Sequence, residues 1–182
     1  MAGLIYQVIS GVLAAVILFG ALSIVLISWK NGITPMPSSA YARRVVTREL
    51  KQIGTRGNLV EAGSGWGHLA LEIGAHCSGW SIVGIENSQI PLGVSQLAAR
   101  LRRLRNVRFL RGDLYTFPYE DVDVVVCYLF PGAMTRLSKL LRTRLSPGAK
   151  VISVCFALPG WTPERIITCR DTYQTKIYVY AR

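Results

Sequence analysis

The chain has 182 residues, room for one ordinary globular domain, and its apolar share of 51% is high for a domain that lives wholly in water. Its net charge of +11 lies entirely after residue 29 and gives that part of the chain a strongly positive field, suited to nucleic acid, an acidic protein or an anionic leaflet. Cys77, Cys127, Cys155 and Cys169 show no C-x-x-C spacing, which argues against a zinc site or a redox pair and leaves reduced, mostly buried thiols.

Residues 1–29 carry no charged side chain, and Lys30 is the first. As a helix, residues 4–29 would extend roughly 39 Å against a hydrocarbon core of about 30 Å, enough to span with some tilt. The start lacks the basic residues of a secretory signal, and Ser28-Trp29-Lys30 is no cleavage pattern. The expectation is a single transmembrane anchor over residues 1–29, with Trp29 at the interface. Lys30, Arg43, Arg44, Arg48, Lys51 and Arg56 all follow it, so the remainder is expected on the cytoplasmic side, or the equivalent inner compartment.

Residues 30–37 form a linker whose Pro35 and Pro37 forbid a continuous helix. Ser38 or Ser39 then caps a helix to about Ile53, ended by Gly54. Strands are predicted at 58–62, 81–86, 107–111, 122–128 and 150–156. Between them come a helix at 66–73 stopped by Gly74, one begun by Ser88 and reaching Arg103, and one carrying Met134, Leu137, Leu141 and Leu145. Two consecutive strands, 165–170 and 173–182, close the chain. This alternation, with near-continuous apolar strands, predicts an α/β domain at 38–182 around a parallel sheet buried on both faces.

The informative stretch is Glu61-Ala62-Gly63-Ser64-Gly65-Trp66-Gly67, where the first strand turns into a helix. Glycines there let the backbone approach a ligand, and open helix-start N–H groups favour an anionic or carboxylate-bearing partner. A dinucleotide fingerprint would need glycine at position 68, which is His68, and a phosphate loop would need G-K-S/T. Glu86 ends the second strand, where an acid accepts ribose hydroxyls, and Asp113 follows the third. Singly, a tight turn at Gly63, a solvated strand end at Glu86 and a helix cap at Asp113 are equally good readings.

Together, E-x-G-x-G-x-G, the strand-two acid and the later Gly-Asp resemble the class I S-adenosylmethionine-dependent methyltransferases, over about residues 38–182. The resemblance implies a Rossmann-like, seven-stranded, mostly parallel sheet with a reversed last strand, and S-adenosylmethionine as cofactor. It assigns the methionine part to Glu61, Gly63, Gly65 and Gly67, the ribose to Glu86 and the adenine to Asp113. His68 and His76 have no second ligand at helical spacing, so no metal is expected. Arg100, Arg102, Arg103, Arg105 and Arg108 lack interleaved aromatics, which disfavours nucleic acid and suggests a solvated face.

The fourth strand ends in Tyr128-Leu129-Phe130-Pro131, without the Asn/Asp-Pro-Pro-Tyr of many enzymes that methylate exocyclic amines. With the apolar N-terminus and a Pro-Ser segment, this is similar to small protein-lysine methyltransferases, including those acting on the c-subunit of ATP synthase and archaeal relatives. Thr34-Pro35-Met36-Pro37-Ser38 lacks the tyrosine of that group's Tyr-Val-Pro-Thr/Ser run. The narrower resemblance implies catalytic roles for Tyr128 and Pro131, substrate contacts from Pro37, Ser38 and Phe130, and a protein lysine, on a membrane protein or otherwise, as acceptor. A phospholipid amino-group methyltransferase and a non-catalytic cofactor-binding membrane scaffold stay open as alternatives.

Overall fold

The computed structural model describes residues 2–31 and 37–182, with side chains at residues 3, 5–20 and 37–182. The chain divides into two compact units, Met1–Met36 and Pro37–Arg182. In the first, helix α1 runs Ala2–Asn31, and its apolar side chains from Ile5 to Phe19 are exposed. Among the described residues no helix is long and apolar enough to cross a membrane. The expected helix therefore forms as α1, but a transmembrane span over residues 1–29 is not supported. Linker residues 32–36 lie outside the described residues.

In the second unit the runs Leu59–Ala62 and Val124–Cys127 are apolar on nearly every residue, and both are buried on both faces. That is what central parallel strands require. They belong to β1 (Gly57–Ala62) and β4 (Val124–Cys127), which pair in parallel at the middle of a seven-stranded sheet. The other strands are β2 (Trp80–Glu86), β3 (Val107–Arg111), β5 (Lys150–Val154), β6 (Arg165–Thr168) and β7 (Lys176–Ala181). Their order is β3-β2-β1-β4-β5-β7-β6, and β7 runs antiparallel to both β5 and β6. The mixed Rossmann-like sheet with a reversed last strand is therefore present.

Helices α2 (Ala40–Ile53), α3 (His68–His76) and α4 (Gln89–Leu101) share one buried cluster with Leu59, Ile82, Val124 and Ile152. Helix α5 (Pro131–Arg144) packs Met134, Leu137 and Leu141 on the other face, against Val60, Val125 and Val151. Alternate residues of one strand thus feed two cores, each buried Leu, Ile or Val contributing about 1.5 to 3 kcal/mol.

Three local expectations are corrected. Gly74 does not stop α3 but lies inside it, buried, where a β-carbon would collide with the Val107 side chain; the helix ends at His76, and the cap residue Cys77 donates its N–H to the Ile73 carbonyl. Helix α3 starts at His68 rather than 66, since Gly67 holds φ +78°, outside helical space. Strand β4 begins at Val124, because the Asp123 carboxylate turns back to accept the Asn58 N–H at 2.7 Å.

Candidate active site

In a sheet ordered 3-2-1-4-5, chain connections leave β1 and β4 in opposite directions, and the crevice between their carboxyl ends is where such sheets bind ligands. Of the predicted site residues, the glycine loop 63–67 and Glu86 are brought together there. Gly63, Gly65 and Gly67 have φ of +76°, +52° and +78°, values that L side chains rarely adopt. A β-carbon on Gly63 would sit 2.6 Å from Leu129 Cδ2, so the loop after β1 touches the loop after β4 at that point. On Gly67 it would meet Phe109 Cζ at 2.6 Å and Ser95 Cβ at 2.8 Å, so this glycine seats the loop on β3 and α4.

Two acids hold the loop from below and from the side. Glu61 is buried, and its Oε2 accepts the Ala70 N–H at 3.0 Å, capping α3 from a strand seven residues before the helix begins. Burial pushes its carboxyl up to about 8, against the opposing effect of the Ala70 hydrogen bond and with a smaller contribution from the Glu86 charge. Glu86 Oε2 accepts the Gly65 N–H at 2.8 Å, and its Oε1 accepts the Ser88 N–H at 2.7 Å. Each oxygen keeps a further lone pair for a ligand hydroxyl. The Ser64 hydroxyl in the same loop is buried with no hydrogen-bond partner among the described residues, a donor available to a bound group.

Asp113 is exposed and turns the chain after β3: its Oδ1 accepts the Tyr115 N–H at 2.9 Å and its carbonyl accepts from Thr116. No helix follows, so Asp113 closes a turn rather than capping a helix, just after β3, whose Arg111 pairs with Glu86. Tyr128 is half-buried against the α2–α3 core, and burial first, then Cys155 and Asp171, raise its phenol pKa, so it stays protonated at neutral pH. Phe130 is the N-cap residue of α5 and Pro131 its first residue, a position where a missing N–H costs nothing. Ser38 is buried, its hydroxyl without a hydrogen-bond partner among the described residues and its carbonyl accepting from Arg43, while Pro37 is exposed.

Sequence reasoning missed one part of this edge. The turn between β6 and β7 carries Asp171, whose Oδ2 accepts from the hydroxyls of Ser39 and Thr175 at 2.7 Å each, and whose Oδ1 accepts the Thr175 N–H at 2.8 Å. Those bonds, led by the Thr175 N–H, hold its carboxyl below the ordinary range. Ser39 caps α2 in turn, accepting the Ala42 N–H at 3.1 Å. Asp-x-x-x-Thr within a predicted hairpin signals such a turn, but nothing local reveals a partner 132 residues earlier. Among the described residues no group of three or more His, Cys, Asp or Glu could hold a metal ion.

A reversed last strand, a glycine loop after the first and an acid after the second, meeting at the switch point, define the class I S-adenosylmethionine-dependent methyltransferases, and the orphaned Ser64 hydroxyl and the Glu86 carboxylate fit that cofactor's polar groups. The chain belongs to the ANTKMT methyltransferase domain family, which matches residues 61–165. It is similar to the lysine N-methyltransferase of Mus musculus named for the c-subunit of ATP synthase, 32% identical over 130 residues, which are 71% of this chain and 51% of that protein. It is similar also to the adenine nucleotide translocase lysine N-methyltransferase of Mus musculus, 32% identical over 116 residues, 63% of this chain and 50% of that one. The chain spans about half the length of the curated relatives it matches. Among solved structures, an RNA methyltransferase from Salinibacter ruber in complex with S-adenosyl-L-homocysteine superposes with a TM-score of 0.70 at 26% identity, covering 80% of this chain and 93% of that one.

Proposed function

We propose that this protein transfers a methyl group from S-adenosylmethionine to a lysine side chain of a protein. The observation that carries the reading is the Gly63–Gly67 loop tied to Glu86 at the β1/β4 switch point, in a chain of this family. The names of the two mouse relatives, both lysine N-methyltransferases, support the acceptor class.

When bound, S-adenosylmethionine supplies an electrophilic methyl group on its sulfonium. The chain's own residues hold and orient the reactants. Gly63, Gly65 and Gly67, braced by Glu61, receive the methionine portion; Glu86 accepts from the ribose; Asp113 lies toward the adenine. An attacking amine must be unprotonated and in line, so what the acceptor side needs is desolvation and aim rather than a strong base. Phe130 and the buried Ser38 exclude water there, Tyr128 and the carbonyls of Leu129 and Phe130 orient the amine, and Pro37 and Pro131 fix the two loop entries.

Membrane attachment is part of the same proposal. The uncharged residues 1–29 and the basic residues after them support attachment with the α/β domain on the cytoplasmic or equivalent inner side. Removing residues 1–29 then yields a cofactor-binding domain in the soluble fraction, whereas extraction of the intact chain by alkaline carbonate overturns the attachment.

The acceptor is tested by incubating membranes from cells lacking the protein with the purified chain and methyl-labelled S-adenosylmethionine, then separating lipid from protein. Label in protein that survives lipid extraction and appears as methyllysine on hydrolysis supports the reading. Label confined to the lipid extract replaces it with phospholipid methylation, and cofactor binding without transfer replaces it with a scaffold.

A further inference from the structure

Helix α4 buries Leu92, Ser95 and Ala99 against the sheet, so its opposite face should be polar if it met only water. It is not. Ile90, Val94, Leu97 and Leu101 follow one another at helical spacing on that opposite side, with Val94 46%, Leu97 56% and Leu101 75% exposed. Beside α4 lies β3, the terminal strand of the sheet, whose Leu110 is 46% exposed.

The same segment is purely cationic. Arg100, Arg102, Arg103, Arg105, Arg108 and Arg111 are all exposed, no acid lies between Glu86 and Asp113, and among the described residues none of the six has an ion-pair partner. A groove of about 590 Å³ runs between α4 and β3, lined by Gln96, Arg100, Arg103, Arg105 and Arg108 with apolar neighbours.

We propose that the outer face of α4 and the adjoining edge strand β3 form a docking surface for an anionic lipid bilayer. An apolar helical stripe flanked by unpaired cations is the pattern of an interfacial helix: the stripe enters the acyl boundary while the guanidiniums meet lipid phosphates. A second copy of this chain would bring six arginines against six. A nucleic acid would satisfy the arginines but would leave Val94, Leu97 and Leu101 against a polar ligand, with no aromatic ring between Trp80 and Phe109 to stack on a base.

The test is hydrogen exchange of the full chain in nanodiscs of phosphatidylcholine alone or with phosphatidylglycerol, read over residues 90–111. Slowed exchange at residues 100–107 in the anionic discs only, reversed by high salt, is the expected result. Arg103→Glu with Arg105→Glu should weaken that protection about tenfold or more, and Leu97→Glu with Leu101→Glu should do the same. All four positions are exposed, and unchanged exchange in β1 and β4 confirms the fold. Equal protection in neutral and anionic discs, or none in either, overturns the proposal. So does protection by a random-sequence RNA oligonucleotide but not by anionic discs, or protection that grows with protein concentration without lipid.

Discussion

The Glu86 carboxylate accepts the Gly65 N–H across 21 residues of chain, so the acid ending β2 fixes the position of the glycine loop following β1. One side chain therefore shapes the loop and, under the proposed function, also meets the ligand. Glu86→Ala removes an acceptor from two backbone N–H groups, costing about 1 to 3 kcal/mol of stability, and should weaken S-adenosylmethionine binding about tenfold to a hundredfold. Glu86→Gln keeps one acceptor oxygen but turns an amide N–H₂ toward a donor, so both losses should be intermediate. Titration calorimetry and thermal denaturation of the same samples check the two effects together. A folded Glu86→Ala variant that binds as tightly as the parent removes Glu86 from the ligand.

Glu61 gives the protein a pH dependence of defined sign. Its folded carboxyl titrates at about 8 and its ordinary value is 4.5. Between these the folded state holds a proton that the unfolded chain has lost, so its contribution is complete below about 4.5 and declines as pH rises toward 8. Glu61→Gln keeps an oxygen for the Ala70 N–H and cannot ionise. Relative to that variant, the parent should lose on the order of a few kcal/mol across this window, with the difference flat above it. Denaturant unfolding at a series of pH values measures the difference directly, because groups shared by both proteins cancel.

The glycines of the loop should not be equivalent. Gly67→Ala places a methyl group against the Phe109 ring and Ser95 Cβ at a positive φ, and both neighbours are buried. Gly63→Ala meets one atom closer than 3.0 Å, the Cδ2 tip of the buried Leu129, where Gly67→Ala meets three. Both carry the backbone strain, about 1 kcal/mol or more, and Gly67→Ala adds an overpacking cost of about 1 to 3 kcal/mol. Chemical denaturation should show Gly67→Ala as the less stable of the two. Because Leu129 belongs to the acceptor-side loop, Gly63→Ala should lower methyl transfer by more than its stability loss explains.

The central strands were legible because burial on both faces leaves nearly unbroken apolar runs, as in Val124–Cys127, and the cofactor edge because glycines and acids recur where those runs end. What escaped depends on neighbours distant in sequence. Gly74 reads as a helix stop until Val107 is packed against it, and β4 reads two residues too long at its start until Asp123 is seen to cap the Asn58 N–H. Ser38 or Ser39 reads as a helix cap and the structure selects Ser39, but its bond to Asp171 depends on how β7 inserts between β5 and β6. The N-terminal apolar run correctly indicated a helix, whereas uncharged length alone did not translate into a span among the described residues.

A change at Tyr128 distinguishes the proposed acceptor contact from cofactor binding. Its phenol is held protonated by burial and by the nearby Cys155 and Asp171, so at neutral pH it donates or accepts a hydrogen bond and does not serve as a phenolate base. Tyr128→Phe keeps the ring in the α2–α3 core and removes only the hydroxyl. Cofactor affinity should stay within about twofold, and stability should change by about 1 kcal/mol or less. Turnover should fall about tenfold, the equivalent of one orienting hydrogen bond of about 1.4 kcal/mol made to the amine. The pH profile of the residual activity should keep its shape, since no titrating base has been removed. Labelled-methyl transfer into the protein fraction, measured from about pH 6 to 9 beside calorimetric cofactor binding, checks all three. Unchanged turnover would mean that the hydroxyl never meets the acceptor and that Tyr128 serves packing alone, leaving the carbonyls of Leu129 and Phe130 to aim the amine.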